Sequence, residues 1–171
     1  MKKRNWRKVT IKKIWNYLIV INIKYLIWHF CAYFPLFQDI MSWKVRPMLW
    51  RMIGVKVGKN VFIGYGVYLD VGGCKRIHIG DNVIITAQCL LLAHKRNIKS
   101  YKHGIDLQNE LPFKELETHI EDNVSIGMRS VVLPGITIGK DSIIGAFSLV
   151  SKNVPESVIG VGNPIQFKPI Q

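Results

Sequence analysis

His94 is the side chain best placed to do chemistry. It stands in the stretch LLAHKRN (91–97), where an imidazole can take a proton from a hydroxyl near neutral pH as that oxygen attacks a carbonyl. A lone histidine is usually a surface or loop residue, so its setting has to argue for it. The other four histidines have plain settings. His29 lies in a hydrophobic head, His78 precedes a turn, His103 sits inside a polar loop and His119 precedes a resumed pattern. No HxxxxH pair is present; a three-imidazole zinc centre of the carbonic anhydrase type is not expected, nor is another metal. Cys31, Cys74 and Cys89 are odd in number and form no CxxC motif. That speaks against a disulfide framework and fits a reducing cytosol.

What distinguishes His94 is the pattern that ends beside it. From Val57 onward an aliphatic residue recurs at every sixth position: Val57, Ile63 and Leu69, then Ile79, Ile85 and Leu91, then Ile120, Ile126, Val132, Ile138, Ile144 and Val150. Four residues after each stands a small or β-branched residue, such as Val61, Val67, Gly73, Cys89, Ser130 or Ser148. Leu91 alone breaks the rule, because Lys95 occupies its position. A period of six fits neither an amphipathic helix nor a hairpin meander; it is the signature of a β-helix of hexapeptide repeats. Each unit supplies a short strand and a turn, and stacked coils bury a column of aliphatic side chains that one unit cannot bury alone. The turn sequences GKN (58–60), GDN (80–82), EDN (121–123) and GKD (139–141) recur in phase, so Asn82 is read as a turn residue.

After Leu91 the next in-phase residue is Ile120. The intervening polar segment is the kind of long excursion that carries function. A second polar residue intrudes in GVYLDVGG (66–73), where Asp70 follows an inward-facing Leu69 at a place usually held by glycine. The plain reading of Asp70 is an exposed turn residue.

Charge divides the chain in two. Residues 1–60 hold thirteen Lys and Arg against one acid, 13 − 1 = +12, and residues 61–171 hold eleven against ten, 11 − 10 = +1. A nearly neutral body argues against a nucleic-acid surface. The head, residues 1–50, joins the basic MKKRNWRKVTIKK to an apolar, aromatic run with no small-residue cleavage site. Asn22, Lys24 and His29 interrupt that run, and one central lysine costs about 2.5–3.5 kcal/mol on insertion. Helices lying on an anionic membrane surface are therefore expected, with packing on a partner subunit as the rival reading.

The segments IGDNVIITAQCLLLAHKRN, VSIGMRSVVLPGITIGKDSIIGAFSLVSKNVP and VIGVGNPIQF resemble the left-handed β-helix acyltransferases, in particular the bacterial sugar and polysaccharide O-acetyltransferases. The resemblance implies a left-handed parallel β-helix over residues 51–171, an otherwise all-β body with a C-terminal cap, following an N-terminal helical segment. It also implies a homotrimer whose active sites lie between neighbours and are partly closed by the loop at 95–118. His94 matches the family's catalytic base, which activates the acceptor for direct attack on acetyl-CoA without an acyl-enzyme. Asp70 and Tyr68 fall where the family binds its acceptor; Asp70 would contact the sugar or orient His94. Pantetheine would run past Met128 and Ala146, with the phosphate and adenine end near Ser151, Lys152 and Lys168. Ser125 and Gln166 depart from the family's usual tryptophan and basic residue, and Lys168 is the substitute for the latter.

The expected function is acetylation of a sugar hydroxyl in capsule, exopolysaccharide or lipopolysaccharide synthesis. The enzyme would sit on the cytoplasmic side of the membrane, acting on a lipid-linked glycan. An amino sugar, an antibiotic or serine is the alternative acceptor, and a non-catalytic β-helix scaffold is the alternative class.

Overall fold

Strands of two or three residues recur at the sequence period and stack into three parallel sheets, the faces of a prism. The computed structural model describes residues 18–20, 22–26, 29–30, 37–104, 106–107 and 111–170. Face one contains Lys56–Val57, Ile77–Ile79, Thr118–Ile120 and Thr137–Ile138. Face two contains Phe62–Ile63, Ile84–Ile85, Ser125–Ile126, Ile143–Ile144 and Val158–Val161, and is closed by the antiparallel strand Gln166–Pro169. Face three contains Tyr68–Leu69, Leu90–Leu91, Val131–Val132 and Leu149–Val150. Ile120 pairs with Ile138 and Ile126 with Ile144, so an uninterrupted coil takes 144 − 126 = 18 residues, three hexapeptides.

The core follows from this register. Eleven of the twelve periodic aliphatic residues are buried, and Val57 packs partly buried against them. The small residues that follow fill the corners: Val83, Cys89, Ser130 and Ser142 are fully enclosed. Neighbouring coils approach closely there; a Cβ on Gly127 would lie 2.4 Å from the Ala146 backbone nitrogen. Asn60, Asn82, Asn123 and Asp141 all adopt left-handed φ of 52–59°, a conformation that Asn and Asp tolerate best among non-glycine residues. Their side chains form rungs, with Asn60 donating to Asn82 and Asn123 to Asp141 at 3.0 Å each. Asn82 is thus a turn residue.

Two departures interrupt the 18-residue coil, both leaving from the end of face three. Val57 pairs with Ile79, a step of 22, and the extra four residues are taken up by the 3-10 turn Val71–Arg76. Ile79 pairs with Ile120, a step of 41, and the excess is the polar loop.

A helix caps the start of the prism. Arg46–Ile53 buries Trp50 and Ile53 in the aliphatic core and ends at Gly54, which has φ 109°. The core is therefore not built of β structure alone, and the helix runs across position 50. Arg46 is fully buried; its guanidinium donates to Ser42 Oγ at 2.8 Å, the Gln38 side chain at 2.9 Å and the Ile63 carbonyl at 3.1 Å. Bonds from a charged group to three acceptors offset its removal from water. The described residues between 18 and 30 are helical and mostly exposed. Among the described residues no helix is long and apolar enough to cross a membrane. The basic stretch at 1–17 and Cys31 lie outside the described residues.

Candidate active site

Asp70 is not an exposed turn residue: it is 3% exposed. Its position at the N-cap of the four-residue insertion turns the carboxylate inward, where Oδ1 accepts the Gly73 N–H at 3.3 Å. Oδ2 accepts the Ala93 N–H at 3.1 Å and lies against His94 Nδ1 in a short contact. Gly73 has to be glycine here. A Cβ would stand 2.8 Å from the Ala93 Cβ and 3.1 Å from Asp70 Oδ2. One buried carboxylate thus ties the first coil to the point where the second coil is abandoned.

The pair has a definite chemical polarity. A carboxylate can only accept, so Nδ1 of neutral His94 carries the hydrogen and Nε2 is left with a lone pair. The tautomer is assigned from this hydrogen-bond pattern. His94 keeps nearly half of its side chain accessible and lines a cleft of about 170 Å³ with Gly72, Gly73, Phe113 and Glu115. Part of that wall is the loop itself. His94–Arg96 pairs antiparallel with Phe113–Glu115, His94 facing Glu115 and Arg96 facing Phe113. The Phe113 ring meets the imidazole edge-on at 5.1 Å, and the Arg96 guanidinium lies 4.3 Å over the same ring. Arg96 also donates to the Leu111 carbonyl at 2.8 Å. On the far side Glu115 forms a short ion pair with Arg76. The loop is fastened at both limbs, and the coil resumes at Thr118, whose hydroxyl donates to the Leu92 carbonyl at 2.7 Å.

Tyr68 stands outside the cleft on the outer surface of face three, half-exposed. Burial raises its phenol pKa above the ordinary value, with the Asp70 carboxylate and Tyr25 adding to the effect. The residues that the resemblance places along the donor fall on both edges of the same face. Met128 and Ala146 are exposed at turns between faces two and three, where the Phe147 N–H donates to the Met128 carbonyl at 2.9 Å. Ser151 and Lys152 follow face three, the edge that also carries Asp70 and His94. Lys152 Nζ lies 4.7 Å over the Phe167 ring, and Lys168 is the next residue along. The structure brings Asp70 to His94 and Lys152 to the terminal strand; it brings neither Met128 nor Ala146 to the imidazole.

Nothing in the sequence pattern singles out Phe113, Glu115, Arg76 or Arg96. The loop pairing has no alternating pattern to announce it. The spacing of ten between Leu69 and Ile79 does signal the insertion that buries Asp70. Cys89 is no competing nucleophile. It is fully buried, its thiol donates to the Gly127 carbonyl at 3.2 Å, and burial pushes its pKa up, which keeps it protonated.

Comparison with known proteins agrees with this architecture. Residues 117–152 match the bacterial transferase hexapeptide (six repeats), and residues 54–91 match the hexapeptide repeat of succinyl-transferase. YvoF of Bacillus subtilis, named as a candidate acetyltransferase, is 32% identical over 161 residues, covering 94% of this chain and 80% of the relative. A galactoside O-acetyltransferase of Lactococcus lactis is 32% identical over 126 residues, 72% of this chain. The crystal structure of a maltose O-acetyltransferase from Clostridium difficile superposes with TM-score 0.63 and 25% identity, covering 90% of this chain and 89% of that one. Against two of the curated relatives the chain spans only 62% and 58% of the relative's length. The repeats, the shared fold and the near full-length match to YvoF agree: the chain belongs to the hexapeptide-repeat acetyltransferase family, alongside bacterial sugar O-acetyltransferases.

Proposed function

We propose that the protein is an acetyl-CoA-dependent O-acetyltransferase acting on a sugar hydroxyl, with His94 as general base and Asp70 as the residue that positions it. The observation that carries this reading is the buried Asp70 carboxylate against Nδ1 of a half-exposed imidazole at the mouth of a cleft. His94 Nε2 accepts the hydroxyl proton as the acceptor oxygen bonds to the thioester carbonyl carbon. The carbon–sulfur bond then breaks, and the imidazolium returns the proton to the departing thiolate. Met128, Ala146, Ser151, Lys152 and Lys168 are assigned to the donor, and Asp70 and Tyr68 border the acceptor. In this reading the coil is left-handed, as in the family, and two relatives named for a galactoside and for maltose support a carbohydrate acceptor.

Outward-facing apolar residues remain on the prism, among them Ile84, Leu90, Met128, Ile143 and Phe147. Such a surface supports a homotrimer in which a neighbour completes each site. Incubation with acetyl-CoA and a panel of maltose, a galactoside, glucosamine, serine and an amino-antibiotic tests both points. Thiol release with an acetyl ester on a neutral sugar, from a species with the mass of three chains by light scattering, is expected. Exclusive N-acetylation would move the acceptor to the amino class. No thiol release and no coenzyme A binding would leave a scaffold.

The pathway reading is capsule, exopolysaccharide or lipopolysaccharide synthesis, with the head holding the enzyme on the cytoplasmic membrane face beside a lipid-linked glycan. Seven of the first thirteen residues are Lys or Arg, each worth roughly 1 kcal/mol near an anionic leaflet. Three heads in one trimer act together. Full-length protein should float with anionic liposomes at low salt, and protein lacking residues 1–36 should not. That truncation spares Arg46 and Trp50. Failure of the full-length protein to float would make the head a packing element.

A further inference from the structure

On the outer surface of face one, away from the His94 cleft, two imidazoles and a carboxylate converge. His78 and His119 are partners in register on neighbouring strands. Their rings stack at 4.4 Å with 27° between planes. Glu117, two residues before His119, places Oε2 3.3 Å from His119 Nε2 and 3.7 Å from His78 Nε2. One ligand atom from each of the three lies within 4.8 Å of the others. His78 Nε2 is itself buried and has no hydrogen-bond partner, and the 3.7 Å separation from Glu117 is too long for one.

We propose that His78, His119 and Glu117 form a divalent transition-metal site suited to Zn²⁺, which fastens the returning limb of the 95–117 loop to the coil. Bonds of about 2.0–2.1 Å to nitrogen or oxygen in a tetrahedral shell separate neighbouring ligand atoms by about 3.3 Å. The contacts of Glu117 to the two imidazoles are close to that edge, and the stacked rings must turn out of their near-parallel planes for both nitrogens to face one ion. Two imidazoles and one carboxylate are a borderline donor set, which favours Zn²⁺, Ni²⁺ or Cu²⁺ over Mg²⁺ or Ca²⁺. The accessible side of Glu117 leaves a fourth position for water. A bound ion also gives the orphaned His78 nitrogen a partner. Lys56, in register with His78 on the preceding strand, carries the same sign of charge as a bound ion and opposes its binding.

The placement gives the site a mechanical role. Glu117 belongs to the loop's returning limb, His78 and His119 to the coil. The same limb carries Phe113 and Glu115 on the cleft wall, and its Leu116 N–H donates to the Ala93 carbonyl at 2.9 Å. A metal on Glu117 would stiffen that wall without touching the reacting groups. The proposal does not depend on what reaction occurs at His94.

Titration of chelator-stripped, full-length protein with ZnCl₂ by calorimetry tests it, with thermal melting as a second readout. One Zn²⁺ per chain and a raised melting midpoint are expected, with no comparable effect of MgCl₂. His119→Gln and Glu117→Gln alter accessible side chains, so their folds should survive, as circular dichroism can check. Each should weaken Zn²⁺ binding more than about tenfold, and Lys56→Gln should tighten it. Zn²⁺ binding that persists unchanged in the His119→Gln, Glu117→Gln double variant would overturn the assignment. So would the absence of binding to the wild type.

Discussion

Replacing His94 by alanine is expected to slow acyl transfer by on the order of 10²–10⁴-fold while coenzyme A binding and circular dichroism stay as in the wild type. The lost activity is that of the base: the other proton acceptor lining the cleft, Glu115, is held in an ion pair with Arg76. The structural loss is small, because nearly half of the side chain is already accessible. Asp70 also keeps two backbone N–H donors when the imidazole is gone. What disappears is one hydrogen bond to a carboxylate, about 1.5–3 kcal/mol. Single-turnover acetyl transfer, measured beside equilibrium coenzyme A binding, separates base from donor groove. Turnover at the wild-type rate would remove His94 from the mechanism.

Asp70→Asn is the second large effect, and it separates the two roles open to this residue. An asparagine is nearly isosteric, but it sets an amide against donors where a carboxylate accepted from all of them. If its Nδ2 faces the imidazole, it donates to Nδ1 and drives the hydrogen to Nε2, the wrong tautomer for a base aimed at the cleft. If its Oδ1 faces the imidazole, Nδ2 meets the Gly73 N–H instead; that N–H keeps the backbone carbonyl of residue 70 at 3.0 Å, so the buried donor left unsatisfied is the amide Nδ2, at about 1–3 kcal/mol. A positioning role predicts kcat reduced on the order of 10²–10⁴-fold with the acceptor KM little changed. Direct contact with the sugar predicts the opposite, a raised acceptor KM with kcat spared. With Asp70 3% exposed and already engaged by Ala93, Gly73 and His94, positioning is the expected outcome. Steady-state kinetics in both substrates decides between them.

The prism is legible in the sequence because one physical demand, an aliphatic column at every sixth residue, repeats twelve times. Asn82 was legible for the same reason: four in-phase turns identify each other. The contribution of helix Arg46–Ile53 to the core was hidden, since Trp50 and Ile53 follow an apolar run and nothing local distinguishes a cap from a membrane-facing head. Asp70 was visible as an intruder, but its burial depends on the four extra residues after it and on the approach of Ala93 from the next coil. Phe113 could not be read at all. Its meeting with His94 depends on an antiparallel pairing within a segment that has no hydrophobic alternation. His78 and His119 become neighbours only when the 41-residue step between coils is divided into a full turn and an excursion.

That step has a consequence for how freely this part of the chain can change. Joining two paired strands through 41 residues instead of 18 adds loop-closure entropy that grows only as the logarithm of length, roughly 0.7 kcal/mol at room temperature. Burying one aliphatic side chain of the column returns about 1.5–3 kcal/mol. The prism therefore tolerates long or short excursions at this edge with nearly the same stability, provided that Ile79 and Ile120 still find each other. Selection on the acceptor can lengthen, trim or rewrite residues 95–117 while the base, its carboxylate partner and the stacked core stay where they are.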